Sequence, residues 1–286
     1  MSFSSEVKEE LAGHLGKSRH CQIAELAALI AYEGKSYVAE SENQLLRDKY
    51  QLLLGKLFQI EEMSALEDKK RVFSSVKMWD DAAEEPKLSE TVNGILLQQN
   101  CCRRAFVRGA FLAGGSISDP NKSYHFEIVC RTLEQAMQLQ EVINSFDVEA
   151  KIVARKKYQV VYLKEGSQIV DILNVMEAHV ALMNLENVRI LKEMRNSVNR
   201  KVNCETANIS KTVNAAVQQL RDIEYIKETA GLSSLPDNLR EMAMLRLEYP
   251  DAPLKELGTY LNPPVGKSGV NHRLRKISEI AESLRQ

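Results

Sequence analysis

The densest group of side chains able to do recognition chemistry lies near the C-terminus. Lys255, Lys267, Ser268, Asn271, His272, Arg273, Arg275 and Lys276 bring amide, imidazole, hydroxyl and cationic groups into one short segment. Asn and Arg can make paired hydrogen bonds to base edges in a major groove, and Lys and Arg neutralise phosphates. That chemistry requires the groups to share one helix face. Val270, Leu274, Ile277, Ala281 and Leu284 recur at i, i+4, i+7, i+11 and i+14, which predicts a helix with one buried stripe. The basic residues fall on the other face of its first turns, and Ser268 suits the N-cap.

The elements before this helix must hold it in place. The break Asn262-Pro263-Pro264-Val265-Gly266 forbids a continuous helix. Ahead of it a short helix over 254–261 carries Leu254, Leu257 and Leu261 on one side, with Gly258 permitting a close approach. A first helix over 237–247 begins near Pro236 and is stopped by Pro250. Three helices with a basic, amphipathic last member follow the helix-turn-helix plan. The same pattern also suits a three-helix bundle whose basic face serves solubility, and a turn with two prolines is longer than the shortest form of the motif.

Elsewhere the charge is segregated, although the net charge of the 286 residues is only −1. Acids outnumber bases between Glu61 and Glu90. Residues 151–164 hold five Lys or Arg and no acid, and residues 189–211 hold six basic against two acidic residues. Phosphate binding responds to the local field, so near-neutrality overall is no obstacle. Arg155, Lys156, Lys157, Arg200 and Lys201 are therefore candidate phosphate contacts, with a solvated basic face as the plainer alternative. The five cysteines (Cys21, Cys101, Cys102, Cys130 and Cys204) show no Cys-x-x-Cys pair and no His at zinc-finger spacing. They read as reduced, packed thiols, with no metal and no cofactor expected. The start of the chain lacks a basic region leading into an apolar run, and no run approaches the ~18 apolar residues of a membrane span. A cytoplasmic, nucleoid-associated protein without membrane contact is the expectation.

The first part of the chain reads as two similar blocks. Block one has an apolar helix over 23–31 ending at Glu33-Gly34, a strand-like run at 36–39, a helix over 43–57, and an alternating stretch over 71–79. Trp79, the single tryptophan, reads there as a packed aromatic on a strand. Block two has an apolar helix over 106–113 ending at Gly114-Gly115, a strand at 124–130, a helix over 133–146, and a hairpin of 150–154 with 158–163. Beyond residue 188 the pattern is helical, with one helix over 185–202 and another over 208–226. Asn203 and Asn208 suit caps between them. Gly231 and Pro236 mark a boundary.

The duplicated helices resemble a known signature. Leu26-Ala27-Ala28-Leu29-Ile30-Ala31-Tyr32-Glu33-Gly34 is similar to the LAGLIDADG motif of homing endonucleases, and residues 107–115 resemble a weaker second copy. In that family the two helices pack through small residues, and the carboxylate before each final glycine helps hold catalytic metals. Two oxygen-bound divalent ions need acidic ligands from both halves. Here Glu33 is retained but its counterpart is Gly114, so the resemblance implies a saddle-shaped DNA-binding scaffold with Glu33 vestigial and no catalytic or metal site.

A degenerate LAGLIDADG pair followed by a helix-turn-helix resembles the WhiA family. The segments that carry the likeness are residues 111–117, 199–208, 245–250 and 254–274. The resemblance implies an α+β protein: a duplicated LAGLIDADG-type N-terminal domain followed by an all-α helix-turn-helix domain. It implies domains over 1–185 (repeats of about 1–98 and 99–185) and 231–286, joined by a helical linker over 186–230. It further implies a transcription regulator rather than an enzyme, tied to sporulation, cell division and chromosome segregation. The expected partners are double-stranded DNA and another transcription regulator. The internal duplication suits a monomer, while helix-turn-helix proteins also dimerise.

Overall fold

In a computed structural model the chain folds into two compact units, Met1–Glu193 and Met194–Gln286. The structure describes residues 2–34, 38–61 and 63–285. The first unit opens with helices α1 (Phe3–Gly13), α2 (Arg19–Glu33), α3 (Gln44–Phe58) and α4 (Leu66–Ser75). A two-stranded ribbon, β1 (Trp79–Asp80) with β2 (Glu85–Pro86), precedes α5 (Asn100–Gly114). The second repeat continues with β3 (Gly115–Ile117), β4 (Phe126–Cys130), α6 (Leu133–Asn144), β5 (Lys151–Arg155), β6 (Tyr158–Leu163) and α7 (Gly166–Met176). Its four strands form one antiparallel sheet in the order β3-β4-β6-β5.

The centre of this unit is the pair α2 and α5. Both are apolar over most of their length because both faces are covered. Small residues let them approach: a Cβ at Gly109 would lie 2.7 Å from the Glu25 carbonyl oxygen and 2.8 Å from the Ala28 Cβ. Beneath them Phe111 stacks on Phe126 with ring centroids 5.2 Å apart, so the helix pair sits directly on the sheet.

Several expectations are corrected by the structure. Of the strand expected at 36–39, residues 36 and 37 lie outside the described residues, and Val38 and Ala39 belong to a 3₁₀ turn, Val38–Glu40, closed by the Ser41 N–H on the Val38 carbonyl at 3.0 Å. The stretch 71–79 is mainly helix. Val72 and Val76 are buried at i, i+4, and Phe73 beside Val72 breaks the alternation a strand needs. Glu67 and Asp68 also favour the positive end of α4. The helices at 185–202 and 208–226 are one helix, α8 (His179–Thr229), within which the boundary between the units falls. No Gly or Pro interrupts it, so Asn203 and Asn208 are exposed mid-helix residues rather than caps. Finally, Ser268 is the second residue of α11 (Lys267–Arg285), whose first turn closes from the Val270 N–H to the Gly266 carbonyl at 3.1 Å. Trp79 does lie on β1, partly buried against the core.

In the second unit, α9 (Asp237–Glu248), α10 (Leu254–Thr259) and α11 enclose a separate core with the last turns of α8. Ile223, Ile226, Leu239, Met242, Leu257, Leu261, Val270, Leu274, Ile277 and Ala281 are all buried in it. Leu284, the last member of the expected stripe, is exposed because it extends past the end of that core.

Candidate nucleic-acid interface

The geometry of the C-terminal unit starts at Gly258. The Val265 N–H donates to the Gly258 carbonyl at 2.9 Å, folding the proline-containing turn back onto α10. A Cβ at Gly258 would lie 2.0 Å from the Val265 carbonyl oxygen, so any other residue would push the turn away. With the turn fixed, the Val270–Leu274–Ile277–Ala281 stripe faces inward and the opposite face of α11 is open. Lys267, Ser268, Asn271, His272, Arg275 and Lys276 are exposed there, on the first three turns. Arg275 pairs with Glu279 at 3.1 Å, one turn further on the same helix.

Arg273 is placed differently. Its guanidinium donates to the Asn238 carbonyl at 3.4 Å and lies 4.0 Å from the Glu241 carboxylate, so it is turned onto α9. Lys255 is exposed on α10. With Lys267, Asn271 and Lys211 it borders a cleft of about 640 Å³ whose floor includes Val213, Leu220 and Leu254. At one end of that cleft the buried Arg246 donates to the Ala252 carbonyl at 2.7 Å and to Gln219 at 3.1 Å, tying α9 to α8 and to the turn before α10. Arg200 and Lys201 are exposed on α8.

In the N-terminal unit, Lys156 and Lys157 form the two-residue loop between β5 and β6, flanked by the Arg155–Tyr158 pair. All three cations are exposed. Lys156 takes a φ of +56°, and the Lys157 ammonium lies 5.3 Å from the Tyr158 ring centroid. Arg155 is drawn to Glu127 at 3.2 Å, which partly neutralises the sheet face beside the loop.

The end of the helix pair that would carry nuclease chemistry is closed. A Cβ at Gly114 would lie 2.8 Å from the Val129 carbonyl oxygen, so β4 backbone occupies the space a carboxylate would need. At the other helix end Arg131 donates to the carbonyls of Ala31 at 2.5 Å and Glu33 at 3.3 Å. Those carbonyls are among the last four of α2, which lack partners within the helix. A guanidinium therefore stands beside Glu33, where a metal-binding site would need more negative charge.

Sequence reasoning missed Arg131, and it missed the buried ionic group at the middle of the pair. Glu25 lies between Lys49 at 3.0 Å and Arg108 at 3.1 Å, all three removed from solvent. Arg108 reaches on to Glu177 at 2.6 Å, which contacts His14 at 3.2 Å. Burial lowers the pKa of Lys49, opposed by the adjacent Glu25. The only available signal was a set of charged residues inside otherwise apolar helices.

The comparisons with known proteins bear on both units. A family model described as the WhiA C-terminal HTH domain matches residues 198–281, and one described as the WhiA LAGLIDADG-like domain matches residues 103–195. A protein of Lachnoclostridium phytofermentans named "Probable cell division protein WhiA" is 53% identical, covering 100% of this chain and 100% of its own. One of the same name from Alkaliphilus oremlandii is 50% identical over 100% of this chain and 98% of its own. Among solved structures, full-length DUF199/WhiA from Thermatoga maritima matches with a TM-score of 0.58 and 27% identity, covering 99% of each chain. Among the described residues no helix is long and apolar enough to cross a membrane. With both WhiA domain models matched in order and relatives half identical from end to end, the chain belongs to the WhiA family.

Proposed function

We propose that this protein is a sequence-specific DNA-binding transcription regulator, linked to cell division, sporulation and chromosome segregation, whose nuclease-like domain does not cut DNA. The observation that carries the reading is the open face of α11. Lys267, Ser268, Asn271, His272, Arg275 and Lys276 stand there together, on the second helix of a helix-turn-helix, free of the core. Asn271 and Arg275, one turn apart, are the base-reading pair, and Lys267 and Lys276 hold phosphates. Lys255, together with the hairpin residues Arg155, Lys156 and Lys157 and the α8 residues Arg200 and Lys201, adds further phosphate contacts. Arg273 acts by fixing α11 on α9 rather than by reading bases.

The domain division that accompanies this reading is a nuclease-like scaffold over 1–185, a helical linker over 186–230 and a DNA-reading unit over 231–286. The absence of cutting rests on Gly114 and Arg131, which leave Glu33 without an acidic partner. A supercoiled plasmid incubated with the protein and Mg²⁺ or Mn²⁺ tests that part. It stays supercoiled if the reading holds, and protein-dependent nicking overturns it.

A second reading, docking of another transcription regulator, draws on the apolar side chains that α8 leaves exposed, among them Met194, Val198, Val202 and Ile209. Under it, polar replacements at these positions would spare DNA binding and abolish function in cells.

A further inference from the structure

At the end of the helix pair remote from Glu33, about 20 Å along α2, four side chains converge. The Cys21, Cys101 and Cys102 sulfurs and a ring nitrogen of His20 all lie within 4.8 Å of one another. His20 Nδ1 is 3.1 Å from Cys102 Sγ, 3.4 Å from Cys21 Sγ and 4.0 Å from Cys101 Sγ.

The placement follows the internal symmetry. The offset of 81 residues that takes Gly34 to Gly115 also takes His20 to Cys101 and Cys21 to Cys102. Each repeat thus contributes two consecutive residues from the first turn of its central helix, at equivalent positions. Ala24 and Ala105, one turn further along, pack with Cys21 and Cys102 and hold the two helix starts together.

We propose that His20, Cys21, Cys101 and Cys102 form a structural site for zinc, in which one divalent ion joins the starts of the two repeat helices. A tetrahedral ion with bonds of about 2.0 Å to nitrogen and 2.3 Å to sulfur sets its ligand atoms about 3.5 to 3.8 Å apart. The three His20 distances bracket the lower value, and no two ligand atoms are more than 4.8 Å apart, so closing the site draws the atoms together by about 1 Å at most. Four protein ligands leave no open coordination position, which makes the site structural rather than catalytic. Binding releases the three thiol protons to solvent, and the positive ends of α2 and α5 favour the resulting thiolates. His20 and Cys101 are exposed, and a pocket of about 120 Å³ lined by His20 and Cys102 with Ile23, Leu96 and Gln99 opens beside the group, so an ion has a path in. Spacing along the chain could not reveal the site, because its halves lie in different repeats.

The test uses the full-length, reduced, metal-stripped protein titrated with Co²⁺ and separately with Zn²⁺. Thiolate-to-cobalt charge-transfer absorption saturating at one equivalent per chain, with visible bands of tetrahedral intensity, is the expected result, and Zn²⁺ should displace it and raise the melting temperature. Cys101→Ser and His20→Ala alter exposed residues, so both variants should melt near the metal-free wild type yet lose the stoichiometric absorption and the Zn²⁺-induced rise. Cys204→Ser, which removes an exposed thiol elsewhere, should keep both. Absence of thiolate absorption in the wild type overturns the proposal. So does absorption that persists in Cys101→Ser or disappears in Cys204→Ser.

Discussion

The Arg108 guanidinium grips the Glu25 carboxylate through two hydrogen bonds of 3.1 Å, across the seam between the repeats and out of reach of solvent. The next residue on α5 is Gly109, where an added Cβ would lie only 2.7 Å from the Glu25 carbonyl oxygen. Ion pair and close backbone approach therefore fix the same point of the seam. Removing one partner of a buried pair leaves an uncompensated charge in a medium that solvates it poorly. Arg108→Ala should destabilise the N-terminal unit by about 3–5 kcal/mol, read as a fall in the urea midpoint followed by Trp79 fluorescence. A change under ~1 kcal/mol would show that the pair behaves like a surface contact.

Gly109 makes a separate demand on the same seam. A Cβ there would come within 2.8 Å of two α2 atoms, closer than van der Waals packing allows. Gly109→Ala should cost about 1–3 kcal/mol through forced separation of the helices, despite the higher helix propensity of Ala. Stabilisation of the thermal transition would mean that the helices are not held as close as described.

Much of this was legible in the sequence, and the exceptions have physical causes. The hairpin at 150–154 and 158–163 was readable because alternation, a basic turn and strand length agree. The buried stripe of α11 was readable as far as Ala281. Position 71–79 failed because a short apolar pattern fits either period until Phe73 is weighed. Val38 and Ala39 form a 3₁₀ turn rather than part of the expected strand because β propensity does not by itself supply a pairing partner. Asn203 and Asn208 were misread because residues that favour caps also sit inside helices when nothing breaks the chain. In the C-terminal unit, residue type located the basic face of α11 but not the turning of Arg273 onto α9, which depends on Asn238 and Glu241.

The loop cations should contribute affinity without sequence information. Replacing Lys156 and Lys157 with Glu should weaken binding to all DNA sequences by a similar factor. The salt dependence of log K should become shallower by about 2 if both reach phosphate. Binding isotherms at several salt concentrations measure this, and an unchanged slope would remove the hairpin from the interface.

Restoring the missing acid should not restore cutting. In Gly114→Asp the new side chain meets the Val129 carbonyl, and Arg131 still stands beside Glu33. The expected outcome is a loss of stability of about 1–3 kcal/mol and no nicking of plasmid with Mg²⁺ or Mn²⁺. Nicking by this variant would show that the scaffold remains able to assemble a two-metal site.

Base reading by the exposed face of α11 would place sequence selection on Asn271 and Arg275. The most direct measurement is gel retention of a pool of genomic fragments with Mg²⁺ present, comparing wild type with the Asn271→Ala, Arg275→Ala double variant. Wild type should retain a selected subset of fragments intact. The double variant should lose that selection, with about 1–3 kcal/mol lost per base-reading contact, while keeping weak, salt-sensitive binding to all fragments. Equal selection by both proteins would place recognition on a surface other than α11.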